Sequence, residues 1–370
     1  MPSLLLLILW LAALVRTIVN LLTVPRLRVR ALERTPLVSV IVPARDEERT
    51  IGRTVAALLA QSYPALEVIV VNDRSADHTG EILRGFDDPR LVVVDGQEPP
   101  AGWLGKPAAL HLGSTHAHGE LLLFVDADVV YERDAVAAAV AYLERRGLAM
   151  LSMLPRLAAR GFWERVLMPN LALMAFMVLP LWLANRSRRP FFGMGGGPGN
   201  LVRREIYDAA GGHAALSDSV IDDVALGRLV RRAGGRTEMT LADHLVSVRM
   251  YHGLREVVNG FTKNSFSVFG RNYALTIALL VVSLVTSLAP YALAVRNAYA
   301  AGALVAMLLA RVILYAALGY GFFNALLGHI PMTLVWSWIL VRSMWRTGIR
   351  RQLEWRGRTY DASRTRFGAD

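Results

Sequence analysis

Asp126-Ala127-Asp128 follows the apolar run Leu121-Leu122-Leu123-Phe124-Val125. Two carboxylates two residues apart at the end of a strand can both approach one divalent cation. Mg²⁺ or Mn²⁺ takes such hard oxygen ligands and bridges phosphates. Taken alone, the same pair also reads as two exposed turn aspartates. Asp73 closes a second run, Glu67-Val68-Ile69-Val70-Val71-Asn72. By itself it could cap a helix, a task open to Ser75 or Asp77 as well. Together, three carboxylates at neighbouring strand ends repel one another unless a cation or nucleotide sits among them. Lys106 ends the turn Pro99-Pro100-Ala101-Gly102-Trp103-Leu104-Gly105 at the start of a helix, where it could contact a phosphate or remain a solvated surface cation. Further on, the glycine-rich segment Gly193-Met194-Gly195-Gly196-Gly197-Pro198-Gly199-Asn200 precedes a helix opened by Asp222-Asp223.

These residues need a scaffold, and residues 37–150 supply one. LVSVIVP, EVIVVND, RLVVVDG and ELLLFVDAD are short β-rich runs ending in acidic or turn residues. Helical patterns at 47–61, 76–86, 106–117 and 133–146 separate them. Such alternation predicts a mostly parallel sheet with helices on both faces, with ligands bound at the C-terminal strand ends. The polar residues fall there: Pro43 to Glu47, Asp73, and Asp126 with Asp128.

The rest of the chain points to a bilayer. Of 370 residues, 54% are hydrophobic and 19% charged, more apolar than a soluble domain. The absence of cysteine excludes a disulfide-built secreted domain and thiolate zinc sites. Residues 4–24 have the ~20-residue length of a membrane anchor, interrupted by Arg16, which could snorkel. Residues 275–295, 301–319 and 323–342 could each span, giving two to three C-terminal crossings. The stretch 162–184, broken by Pro169 and Pro180, reads as interfacial or core helices. The net charge of +11 gathers beside apolar segments, at Arg26, Arg28 and Arg30 and in the tail 344–370. That pattern places the tail and the 36–272 domain in the cytoplasm, beside anionic lipid. No nucleic-acid-binding motif is present.

VSVIVPARDEERTI, VIVVNDRSADHTGEI, GWLGK, LLLFVDADV, the glycine segment and IDDVALGRLV resemble, in this order, the family 2 glycosyltransferases with a GT-A (Rossmann-like) nucleotide-sugar domain. The resemblance covers about residues 36–275. PPAGWLGK and VRMYHGLREVVNGFTKN are most similar to the hopanoid-associated and carotenoid-modifying members, and ceramide glucosyltransferase shares the plan. The resemblance implies that Pro43, Arg45 and Glu47 border the nucleobase and ribose, that Asp73 contacts the nucleotide, and that Asp126 and Asp128 hold Mg²⁺ or Mn²⁺ on the diphosphate. Asp223 would be the catalytic base. Many relatives carry Glu-Asp where this chain has Asp222-Asp223, which leaves the part of Asp222 open. Chemistry agrees: inverting transfer needs one carboxylate to take the acceptor proton opposite the leaving diphosphate. Gly196, Gly197 and Asn200 would let backbone approach the donor sugar or acceptor.

Processive synthases of the family carry Q-x-x-R-W after the acidic pair, and this chain lacks it. Arg249 and Lys263 could replace its positive charge near the diphosphate, or be surface cations facing the membrane. The expected protein is therefore a membrane-bound, cytoplasm-facing inverting enzyme that moves one sugar from a UDP-sugar to a lipid hydroxyl, with no nucleic-acid partner. A processive polysaccharide synthase and a catalytically inactive scaffold are the alternatives. The missing motif speaks against the first, and the presence of Asp73, Asp126, Asp128 and Asp223 against the second.

Overall fold

The computed structural model describes residues 1–350 except 264, together with the backbone of the strand pair Gln352–Trp355 and Arg358–Asp361. The remainder of the basic tail lies outside the described residues. The described chain divides into an α/β unit, Pro25–Ala158 with Leu183–Met250, and a helical unit made of Met1–Val24, Ala159–Trp182 and residues 251–350.

In the α/β unit the valine- and leucine-rich runs become strands: β1 (Val38–Ala44), β2 (Leu66–Asn72), β3 (Leu91–Asp95), β4 (Leu121–Phe124), β5 (Val129–Tyr131), β6 (Met150–Leu154), β7 (Arg156–Leu157), β8 (Asn200–Arg203), β9 (Thr237–Leu241) and β10 (Val246–Val248). Seven form one sheet in the order β3-β2-β1-β4-β8-β6-β9. The first four are parallel, whereas β8 runs antiparallel between β4 and β6. A small second sheet has the order β5-β10-β7. Side chains alternate between two buried faces. Val38, Val40, Val42, Val68, Val70 and Leu123 pack on one, and Ile41, Ile69, Leu122 and Phe124 on the other. Helices on both faces explain why these strands read as continuous apolar runs.

Helices form where the periodicity placed them, with shorter ends. The pattern at 47–61 yields Ile51–Leu59. Asp46 sits in the left-handed region at φ 52°, and the next two amides bond side chains of the neighbouring loop. Glu47 N donates to Thr79 Oγ1 at 2.8 Å and Glu48 N to Asp77 Oδ2 at 3.0 Å. Those bonds compete with a helical first turn and win.

Among the described residues, the helical unit holds three helices long and apolar enough to cross a membrane: Pro2–Thr23, Tyr273–Leu293 and Ala298–Leu318. Asn272 and Asn297 cap the latter two, accepting from Leu275 N and Ala300 N. Of the two to three C-terminal spans expected, two helices among the described residues have the length and composition for one. The third apolar segment breaks at Gly328 into Phe322–Leu327 and a 15-residue helix, His329–Ser343. Its α-helical part is shorter than the ~20 residues of a span, and it continues as the π-helical turn Met344–Ile349. In the 162–184 stretch, helices Phe162–Leu167 and Pro169–Leu173 run into a π-turn, Met174–Val178, ahead of Pro180. A proline lacks the amide that would satisfy the carbonyl four residues back. Asn20 supplies the missing donor, its Nδ2 reaching Phe176 O and Leu179 O at 2.8 Å. Arg16 donates to Val178 O at 2.7 Å, so it is used within the protein.

Candidate active site

Strand order creates the site. Because β1 lies between β2 and β4, the loop after β1 is flanked by Asp73 and by the turn at Asp126. Asp73 N bonds Ala44 O at 2.8 Å, and Val125 N bonds Ile41 O at 3.0 Å. Pro43 lies in β1, in register with Val71. Arg45 donates to Asp73 O at 2.8 Å and faces the Asp73 carboxylate at 3.8 Å, while Arg74 Nε reaches that carboxylate at 3.4 Å. Asp73 is buried. Asp46 accepts from Ala76 N, and Ser75 Oγ accepts from Asp46 N. Glu47 is placed by its amide bond to Thr79. This corner is therefore preformed by a lattice of short polar bonds between the two loops.

Beside it, Lys106 joins the acidic residues. Its Nζ lies 2.7 Å from Asp126 Oδ1 and 3.6 Å from Asp222 Oδ1. Asp222 and Asp223 open the helix Asp222–Arg232, whose N-terminal end favours negative charge. Asp223 Oδ2 accepts from Gly197 N at 2.7 Å and Oδ1 from Val224 N at 2.8 Å. Gly197 O in turn accepts from Asp126 N at 3.0 Å. A Cβ at Gly197 would strike the Asp126 carboxylate, and one at Gly195 the Asp223 carbonyl. Gly196 has no such constraint, since its Cβ would meet Pro198 Cδ at an ordinary 3.6 Å. Asn200 is buried, and its Oδ1 accepts from Gly196 N at 3.1 Å and from Ser152 Oγ at 2.8 Å. Lys106, Asp126, Gly197, Asn200, Asp222 and Asp223 line one small cleft.

Its electrostatics are dominated by excess negative charge. Burial pushes the Asp222 carboxyl up to about 7, opposed by the Lys106 ammonium and reinforced by Asp223 and Asp126. Burial likewise raises Asp223, again against Lys106. Asp128 is raised to about 7 by burial, then by the charges of Asp126 and Glu47. For Lys106, burial alone would favour the neutral amine, but Asp126, Asp222 and Asp223 outweigh it and hold the ammonium charged. One lysine among four aspartates leaves a surplus that a divalent cation would relieve, and the donors are hard oxygens. The residues therefore fit Mg²⁺ or Mn²⁺ at Asp126 and Asp128. Among the described residues no three His, Asp or Glu side chains form a self-sufficient metal site. That suits an ion completed by substrate phosphates, since Mg²⁺ is usually held by one or two carboxylates plus phosphate oxygens.

Some participants gave no signal in the sequence. One is His213. It is buried in the same cleft, with Nε2 3.9 Å from Asp222 Oδ2 and Nδ1 2.9 Å from Tyr207 Oη. Burial, then the Lys106 and His111 charges, lower it to about 3, so it stays neutral. Tyr131 donates to Pro198 O at 2.8 Å and fixes the end of the glycine segment. Neither belongs to a local motif. The fold brings each in from a separate element. Arg249 follows β10 in the α/β unit and is not among the cleft-lining residues. Lys263 belongs to the helical unit.

A mixed sheet with parallel β1 to β4, and acidic residues at its strand ends beside a glycine loop, defines a Rossmann-like nucleotide-sugar domain of the GT-A fold. Residues 39–211 match the model of Glycosyl transferase family 2, so the chain carries a domain of that family. A 4,4'-diaponeurosporenoate glycosyltransferase of Staphylococcus aureus (strain MRSA252) is 31% identical over 259 residues, 68% of this chain and 66% of the relative. The protein of the same name from strain USA300 is 31% identical over 234 residues, 61% of this chain and 60% of the relative. The chain thus spans just under two thirds of the length of these curated relatives. Among solved structures, the mannosyltransferase PcManGT from Pyrobaculum calidifontis, in complex with GDP-Man and Mn²⁺, superposes with a TM-score of 0.56 at 22% identity. The match covers 93% of this chain and 98% of that one, and it supports the fold.

Proposed function

We propose that the protein is a membrane-anchored, inverting glycosyltransferase that moves a single sugar from a UDP-sugar to a membrane lipid. The observation that carries the reading is the cleft in which Lys106 ties Asp126 to Asp222 while Gly197 links Asp126 to Asp223. Arg45, Asp73 and the loop to Glu47 form the nucleoside end. Asp126 and Asp128 are the residues that would hold a divalent cation, which when bound stabilises the leaving diphosphate. Lys106 adds a fixed positive charge at that end. Asp223, raised by burial, accepts the acceptor proton at its carboxylate. Asp222, pinned between Lys106 and His213, positions its neighbour. The Gly197 amide on Asp223 Oδ2 keeps that oxygen aimed, and His213, being neutral, adds no charge that would weaken the base.

The lipid acceptor rests on the three membrane-length helices and on the carotenoid named in the relatives. That name describes an acid, and an ionised carboxylate acceptor would need no base. Whichever the lipid, hopanoid, carotenoid or other, the accepting group is told apart by chemistry: a hydroxyl depends on Asp223, a carboxylate does not. The basic segments beside the apolar helices support a catalytic unit facing the cytoplasm. Mass spectrometry of membrane lipids from cells with and without the gene tests the reading. The expected difference is a lipid heavier by one sugar residue. A ladder of many sugars, or no change in any lipid, would overturn it.

A further inference from the structure

A cavity of about 810 Å³ lies within the helical unit, between the helix Gly253–Thr262 and the C-terminal end of His329–Ser343 with its π-helical continuation Met344–Ile349. Four cations line it: Arg255, Lys263, Arg342 and Arg346. Among the described residues, no carboxylate lines it. Leu254, Val258 and Trp338 supply apolar wall, and the Arg342 guanidinium lies over the Trp338 ring at 5.7 Å. The pattern follows from helical spacing. Trp338, Arg342 and Arg346 recur every four residues on one face, and Leu254, Val258 and Thr262 do the same on the other helix.

The depth of this cavity can be read from its neighbours. Tyr273 is the first residue of a 21-residue helix of membrane-crossing length, and its hydroxyl donates to Met344 O at 3.2 Å. Phe266 N donates to Ser343 Oγ at 2.9 Å. The arginines at 342 and 346 therefore lie beside the first residue of that helix, and the end of a membrane-crossing helix is the level of lipid phosphates. Arginine forks match phosphate oxygens in geometry as well as in charge.

We propose that this cavity is a binding site for the phosphate of an anionic phospholipid headgroup, with Arg342 and Arg346 as its principal donors and Trp338, Leu254 and Val258 against the upper acyl chains. The mixture of cations and apolar wall favours a lipid over a soluble phosphate. The site is independent of the sugar-transfer reading, and its test leaves that reading untouched.

The full-length chain is reconstituted in an equimolar mixture of phosphatidylglycerol and phosphatidylcholine, released gently, and the retained lipid counted by native mass spectrometry. Phosphatidylglycerol should be retained in preference, and less so as salt is raised. R342Q/R346Q should bind it about 30-fold more weakly, while R342K/R346K keeps most of the preference. Equal retention of both lipids, or full retention by R342Q/R346Q, overturns the site. Displacement by inorganic phosphate or glycerol 1-phosphate at low concentration overturns the lipid assignment. Should R342Q/R346Q fail to fold, wild-type retention that ignores both headgroup and salt decides against the proposal.

Discussion

Replacing Lys106 by glutamine removes the single ammonium that faces both Asp126 and Asp222. At an effective dielectric of ~20, the gross attractions at 2.7 Å and 3.6 Å come to about 6 and about 5 kcal/mol. Desolvating the ammonium offsets most of this, and the net loss on breaking such a partly buried pair is about 3 kcal/mol. The two attractions are nearly equal, so each carries about half. The pH dependence follows from the carboxyl of Asp222, raised in the folded protein to about 7 from an ordinary value of 3.8. A carboxyl raised in this way binds its proton more tightly in the folded state, so its ionisation costs stability as pH rises through that window. Lys106 relieves the cost only where Asp222 is ionised. The deficit of K106Q should therefore be full near pH ~8 and about half near pH ~5.5. For a unit of this size that is a fall in Tm of about 6–12 °C at the higher pH and about half that at the lower. Differential scanning fluorimetry of wild type and variant at the two pH values measures it. Equal deficits at both, or a larger one in acid, would refute the reasoning, because Asp222 would then not share the ammonium.

Asp223→Asn should lower kcat by about 10²–10⁴-fold with a hydroxyl acceptor while calorimetry shows nearly unchanged donor affinity, and Asp222→Asn should be milder. Normal turnover in Asp223→Asn would rule out its role as base. Excess EDTA, or Asp128→Ala, should abolish turnover, with added Mg²⁺ or Mn²⁺ restoring only the former; full activity in EDTA would exclude the metal. In Gly197→Ala the new methyl meets the Asp126 carboxylate, so kcat should fall at least ~100-fold with folding retained by circular dichroism, whereas Gly196→Ala should stay near wild type. Equal effects at the two glycines would remove the steric argument.

Much of this was legible because strand ends announce themselves. Asp73 and the Asp126-Ala127-Asp128 turn close runs whose β-branched and leucine content leaves no other assignment, so their clustering follows from a parallel sheet. The turn before Lys106 placed that residue at a helix start, but not its partners. Asp126 and Asp222 lie far along the chain, and only the packed glycine segment brings them to one ammonium. His213 was invisible for the same reason, its role depending on Tyr207 and on the Asp222 helix. Helix ends were overestimated where side chains of one loop bonded amides of another, as at Glu47 and Glu48. The break at Gly328 escaped notice because both halves of the segment are apolar, and hydropathy reports burial without reporting continuity.

Gly197 turns its two backbone groups to different half-sites, the carbonyl to Asp126 and the amide to Asp223. Whatever displaces the turn at Asp126 as donor is loaded is therefore relayed, through one peptide unit, to the carboxylate proposed to take the acceptor proton. The consequence is one of coupling: one peptide unit carries both contacts, so the metal-side turn and the proposed base keep a fixed spacing.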